Sequence, residues 1–271
     1  MSDGDVGALR SSETTRGEGE EGFPHGSKAP FVLGTGIFGL ALGFIFPIEW
    51  VVGVPVFVAG LYLWLREYSV AEYERGIIPE QKRQLLGVPS IYLAALFAII
   101  SETLLFGGAF VAWFFLSARR GPWPTRGLPA LHPWYALAET LALLAGSVAL
   151  YWARKGVAKG ERNRLDFGIA TPFVLGLVYL GLVWVDWQSM MAGGLVPTSG
   201  AYGAAYYYVS GLHFVHVVVG LVVLAILAYR YLARGHFDEH RFTMVRIVEA
   251  YWHFLTGMSA IILLLVYLPT S

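Results

Sequence analysis

The chain has 271 residues, 56% of them hydrophobic and only 14% charged, with 19 basic and 19 acidic side chains and no cysteine. Soluble domains carry about a quarter charged residues, so this composition excludes an ordinary soluble globule and points to an integral membrane protein. A balanced charge gives no reason to expect a nucleic-acid partner, and the lack of Cys excludes disulfides, thiolate metal sites and a cysteine nucleophile.

Residues 1–30 are rich in Gly, Ser, Thr, Glu and Arg and nearly free of large aliphatic side chains. No apolar run ends in a small-residue cleavage site, so the segment reads as a disordered N-terminal tail rather than a signal peptide. Seven apolar segments follow, near 31–47, 50–66, 88–117, 133–153, 168–189, 202–232 and 243–268. In lipid the backbone must satisfy its own hydrogen bonds, so each is predicted to be a helix. The first two are short and joined at Pro47-Ile48-Glu49, which predicts a two-helix hairpin over 31–66. A loop over 67–87 on the cytoplasmic or matrix side then leads to a five-helix bundle over 88–271. The third and sixth segments, about 30 residues each, span roughly 45 Å at 1.5 Å per residue and must tilt or project from the hydrocarbon. The fold class is all-α, a polytopic membrane protein.

Orientation follows from the basic residues. Sixteen of the 19 lie in the N-terminal tail and in the second, fourth and sixth connections; the other three, Arg119, Arg120 and Arg126, lie in the third. The positive-inside rule puts the N-terminus inside and the C-terminus outside, as an odd helix count requires. Trp123, Trp134, Trp184 and Trp187 fall at the outer ends, where an interfacial belt is expected. Gly34, Gly36 and Gly39 match a GxGxxG pattern. A dinucleotide fingerprint needs a strand before it and a βαβ unit around it, whereas these glycines lie in a membrane helix and are expected to admit a close neighbour.

Polar side chains inside the apolar segments are costly and mark candidate sites. Glu102 follows Ser101 in the middle of the third segment, among Ile99, Ile100, Leu104, Leu105 and Phe106. Two readings stand beside each other: a buried proton- or gas-accessible carboxyl, or a structural acid bonded to a neighbouring helix. In either, lipid favours the neutral carboxyl, with His216 or Ser210 as the expected partner. His213 and His216 lie at i and i+3 on one helical face, and His253 offers a third imidazole. No carboxylate stands at ligand spacing, so cross-helix bonds to Glu102 or Glu139 are expected rather than haem or metal. Ser101, His213, His216, His253 and Glu139 form the expected polar network of the bundle. Asp186, between two tryptophans, is expected to face interfacial water, and Arg246 and Glu249 at i, i+3 to pair locally.

The stretch from Tyr202-Gly203 through Gly211-Leu212-His213 and His216 to Gly220, followed by Tyr251-Trp252-His253-Phe254, resembles subunit III of the haem-copper cytochrome c oxidases. Ser101-Glu102, Trp123-Pro124 with Gly127, and Leu175-Gly176 extend the resemblance over roughly 62–268. Three positions depart from the family. Thr256 stands where it has Asp, Arg154 where it has His, and Glu139 where it usually has an amide or small polar residue.

The resemblance implies a non-catalytic accessory subunit that stabilises an oxygen-reducing subunit I beside subunit II, supports proton uptake and binds phospholipid. Haem and copper are expected in the partner, none in this chain. It further implies a lipid-holding cleft between the hairpin and the bundle, with Trp64, Arg66 and Arg230 as headgroup contacts; a guanidinium fork suits phosphate. The expected location is a bacterial or archaeal plasma membrane rather than a mitochondrial inner membrane. Subunit III of a quinol oxidase, or an accessory subunit of a nitric oxide reductase, is the near alternative. A seven-helix haem-binding membrane protein or small transporter is the distant one.

Overall fold

A computed structural model of the chain describes residues 28–43, 49–74, 83–85, 88–119, 121–161, 163–234 and 243–270. The predicted tail lies almost wholly outside the described residues. Among the described residues seven helices follow in order: α1 (Ala29–Gly43), α2 (Glu49–Glu74), α3 (Ser90–Arg119), α4 (Pro133–Val157), α5 (Asn163–Ala192), α6 (Ala201–Arg234) and α7 (Thr243–Ile262). Among the described residues the only strands are a short antiparallel pair ahead of α3, Arg83–Leu85 with Val88–Pro89. Helices α3 to α7 are each long and apolar enough to cross a membrane; α1 and α2 carry shorter apolar stretches, Ala29–Gly39 and Val51–Leu63.

The chain divides into two compact units, Met1–Gln81 and Lys82–Ser271. In the first, α1 and α2 form the predicted hairpin, and glycines set how closely they pack. A Cβ on Gly36 would collide with the backbone of Phe57, and one on Gly60 with that of Leu33, whereas Gly34 faces open space. The GxGxxG match is thus in part a helix-packing surface. Helix α2 runs on to Glu74, past the predicted end at 66. The sequence marks where apolarity stops at Trp64-Leu65-Arg66-Glu67, but a polar helix continues where it leaves the hydrocarbon.

In the second unit α4 is the central helix. It packs along α5 and α7, while α6 contacts α5, α7 and α3, and α3 leans on α6 and α7. Of the most apolar window of α4, 56% is buried, against 17% for α3, so α3 keeps most of its surface outside the bundle. The buried positions of α5, namely Leu165, Gly168, Ile169, Pro172, Gly176, Tyr179, Val183, Asp186 and Met190, follow three- and four-residue spacings. This is the stripe of a helix with one inward face. Trp252 of α7 lies at the centre, fully buried, its indole N–H donating to the Leu143 carbonyl at 3.2 Å.

The last helix does not stay α-helical to its end. Past Ile262 it widens into a π-helical turn, Leu263–Tyr267, and closes in a 3-10 turn, Leu268–Thr270. A π turn carries an extra residue and shifts the facing of the side chains after it. Val266 and Tyr267 in this turn are both buried. Of the expected tryptophan belt, Trp134 and Trp184 do face outward. Trp123 instead stacks edge-on against Trp113 and Tyr202, and Trp187 donates to Ser210 Oγ at 3.0 Å.

Candidate functional site

Glu102 projects from α3 toward α6 and meets His216. Its Oε2 lies 2.9 Å from His216 Nε2, while His216 Nδ1 lies 2.6 Å from the carbonyl of Leu212, one turn back on α6. A carbonyl only accepts, so Nδ1 carries a proton and donates to it, and one hydrogen lies between Nε2 and the Glu102 carboxyl. Tyr251 of α7 steadies the turn by donating to the His216 carbonyl at 3.1 Å, and the Phe106 ring packs edge-on to the imidazole. Ser210, the other expected partner, is engaged elsewhere, donating to the Tyr206 carbonyl and accepting from Trp187.

The expectation of a deeply buried Glu102 needs correction: its side chain is 37% exposed. Helix α3 buries only a narrow stripe, Phe106, Ala109, Phe110 and Trp113, and Ile100, Leu104 and Leu105 point away from the bundle. The carboxyl therefore sits at the bundle's lateral edge. Ser101 takes no part in a cross-helix network; its hydroxyl donates to the Ala98 carbonyl of its own helix at 3.0 Å.

The two histidines of α6 go different ways. His213 is 1% exposed, wedged between Tyr179 and Phe106 with both rings edge-on, and neither nitrogen has a hydrogen-bond partner. His253 faces outward, 46% exposed; its Nδ1 shares a hydrogen bond with Ser147 Oγ of α4, and its Nε2 stands 3.5 Å from Glu249. Glu249 does not pair with Arg246. Its Oε2 lies 2.5 Å from Arg154 Nε, off the hydrogen-bond axis, while Arg246 stacks on Tyr92. The expected single network is thus at least three separate groups.

The sequence reading placed a further acid, Asp186, wrongly. Asp186 is 1% exposed rather than interfacial, and its Oδ2 accepts from Tyr206 and Tyr267, each at 2.6 Å. Its place in the three-and-four stripe of α5 was a legible sign of burial. Glu139, 6% exposed, occupies the same kind of position on α4.

Arg230 is half-buried at the end of α6, with Nη1 3.4 Å from Met244 Sδ. The side chains of Trp64 and Arg66 lie outside the described residues. Among the described residues no three or more His, Cys, Asp or Glu side chains cluster closely enough to hold a metal ion.

A family model described as cytochrome c oxidase subunit III matches residues 29–271. The chain belongs to the cytochrome c oxidase subunit III family. A cytochrome c oxidase subunit 3 from Bos mutus grunniens is 27% identical over 234 residues, covering 77% of this chain and 88% of that protein. The Cyprinus carpio protein of the same name is 25% identical over 233 residues with the same coverage, and the one from Thermostichus vulcanus 25% over 178 residues, covering 66% and 87%. The structure also shows how this subunit III accommodates two of its departures. Thr256 caps its own turn by donating to the Trp252 carbonyl at 3.0 Å and reaches the Leu143 carbonyl at 3.2 Å. Arg154 balances the nearly buried carboxylate of Glu249.

Proposed function

We propose that this chain is the accessory subunit of a respiratory haem-copper oxidase, holding subunit I in working order beside subunit II, binding phospholipid and supporting proton uptake. The observation that carries this reading is the Glu102–His216 contact. A carboxyl and an imidazole share one hydrogen at 2.9 Å, with the imidazole fixed by the Leu212 carbonyl, at the edge of a helix that buries little of itself. Both groups can be neutral in that arrangement, which suits hydrocarbon, and the hydrogen can shift from oxygen to nitrogen without breaking the contact. A proton-binding pair at a lateral edge fits a helper to a neighbouring proton-pumping chain better than a catalytic centre. Phospholipid binding by arginines such as Arg66 or Arg230 belongs to the same reading, since arginine forks match phosphate oxygens.

The test is Glu102→Gln and Glu102→Ala in the assembled oxidase. Glutamine keeps a donor of similar size, so fold and assembly persist. Alanine leaves His216 Nε2 unsatisfied and destabilises by about 1–2 kcal/mol, the range for hydrogen bonds between membrane helices. Initial oxygen reduction continues in both, while sustained turnover or proton uptake declines. Complete loss of oxygen reduction in the glutamine variant, with haems and subunits in place, would assign chemistry to Glu102 that this reading gives to subunit I. Unchanged sustained turnover and proton uptake in both variants would remove the proton role.

A further inference from the structure

Glu139 and Asp186 are two further carboxyls, apart from Glu102 and inside the bundle. Glu139 comes from α4 and Asp186 from α5, and the two lie within electrostatic range of each other. Both are more than nine-tenths buried, and each has an oxygen with no partner, Oε1 of Glu139 and Oδ1 of Asp186. The surrounding ionisable groups are Tyr179 of α5, Tyr206 of α6 and Tyr267 from the π turn, with His132 ahead of α4 acting on Asp186 from the loop. Arginine and lysine are absent from this set.

The hydrogen bonds are distributed unequally. Tyr206 and Tyr267 both donate to the same oxygen of Asp186 at 2.6 Å, a length found when a hydroxyl donates to an ionised carboxylate. No comparable donor reaches Glu139. Two ionised carboxylates cannot share a low-dielectric interior without a cation, and a buried carboxyl oxygen left unpartnered costs several kcal/mol. A single proton resolves both difficulties. We propose that Glu139 holds an exchangeable proton and shares it, through an ordered water, with the unpartnered Oδ1 of Asp186. The π turn contributes Tyr267 to this site. The site is a proton-binding pair built across α4 and α5 and braced by α6 and the end of α7.

Infrared spectroscopy of the purified complex tests this in the carbonyl-stretch region of protonated carboxylic acids, where ionised carboxylates do not absorb. Glu139→Gln should remove one band that moves to lower frequency in D2O. Asp186→Asn should leave that band and shift it, because its acceptor has changed from a carboxylate to an amide. Identical carboxyl regions in wild type and Glu139→Gln would overturn the proposal, since Glu139 would then be ionised. If Glu139→Gln does not assemble, the full chain carrying Glu102→Gln and glutamate labelled with 13C at its side-chain carboxyl decides. A protonated-glutamate band must remain in it; absence of that band overturns the proposal.

Discussion

Arg154 shows how one side chain can set the stability of one end of the bundle. It is 30% exposed, but the carboxylate it faces, Glu249, is only 8% exposed. Replacing Arg154 by Ala leaves that charge without its cation in a place where water reaches it poorly. Removing one partner of a buried pair costs about 3 kcal/mol, much of it the stranded charge rather than the lost bond. Arg154→Ala should therefore lower the unfolding midpoint in detergent clearly, and Arg154→Ala with Glu249→Ala should recover most of the loss. A double variant as unstable as the summed singles would show that the two side chains do not interact. The sequence alone suggested a different pair, Arg246 with Glu249, because i, i+3 spacing is visible in one dimension. The actual partner lies 95 positions away and becomes a neighbour only when α4 and α7 pack antiparallel.

At the scale of elements, the α1–α2 hairpin offers a sharp comparison within one motif. Gly36 and Gly34 belong to the same GxGxxG match, yet only Gly36 meets the facing helix. Gly36→Leu should separate the two helices and reduce accumulation of the folded chain, whereas Gly34→Leu should be tolerated. Equal effects of the two substitutions, measured as folded protein recovered and its thermal midpoint, would count against packing as the reason for the motif. The five long helices were legible because hydrocarbon demands unbroken apolar runs of helical length. Less legible was whatever depends on which face meets which neighbour. Asp186 looked interfacial from its tryptophan neighbours in sequence, but the stripe of α5 turns it inward. Glu102 looked central from its apolar neighbours in sequence, but those side chains point away from the bundle. The π turn left no mark on periodicity, because Leu263 to Tyr267 are apolar on every face.

For the whole molecule, the distribution of basic residues makes a claim about topology that the absence of cysteine makes easy to test. Sixteen of 19 lysines and arginines occur in the tail and in alternate connections, and the rest in the single connection 119–126. Short loops bearing Lys and Arg favour the cytoplasmic side, and on that ground we propose the N-terminus inside and the C-terminus outside. A cysteine introduced at either end would be the only thiol in the chain. Ser271→Cys should react with a membrane-impermeant maleimide in intact cells expressing the assembled complex. Ser2→Cys should react only after the membrane is opened. The same preparation examines assembly: tagged chain extracted in mild detergent should bring with it a haem-bearing partner, seen as a Soret band that the isolated chain lacks. Labelling of Ser2→Cys in intact cells would invert the proposed topology. A monomer free of haem in mild detergent would remove the partner on which the accessory role depends. A Soret band that stays with the chain after every other subunit is stripped would turn attention to His213, which lies inside the bundle with both nitrogens unpartnered.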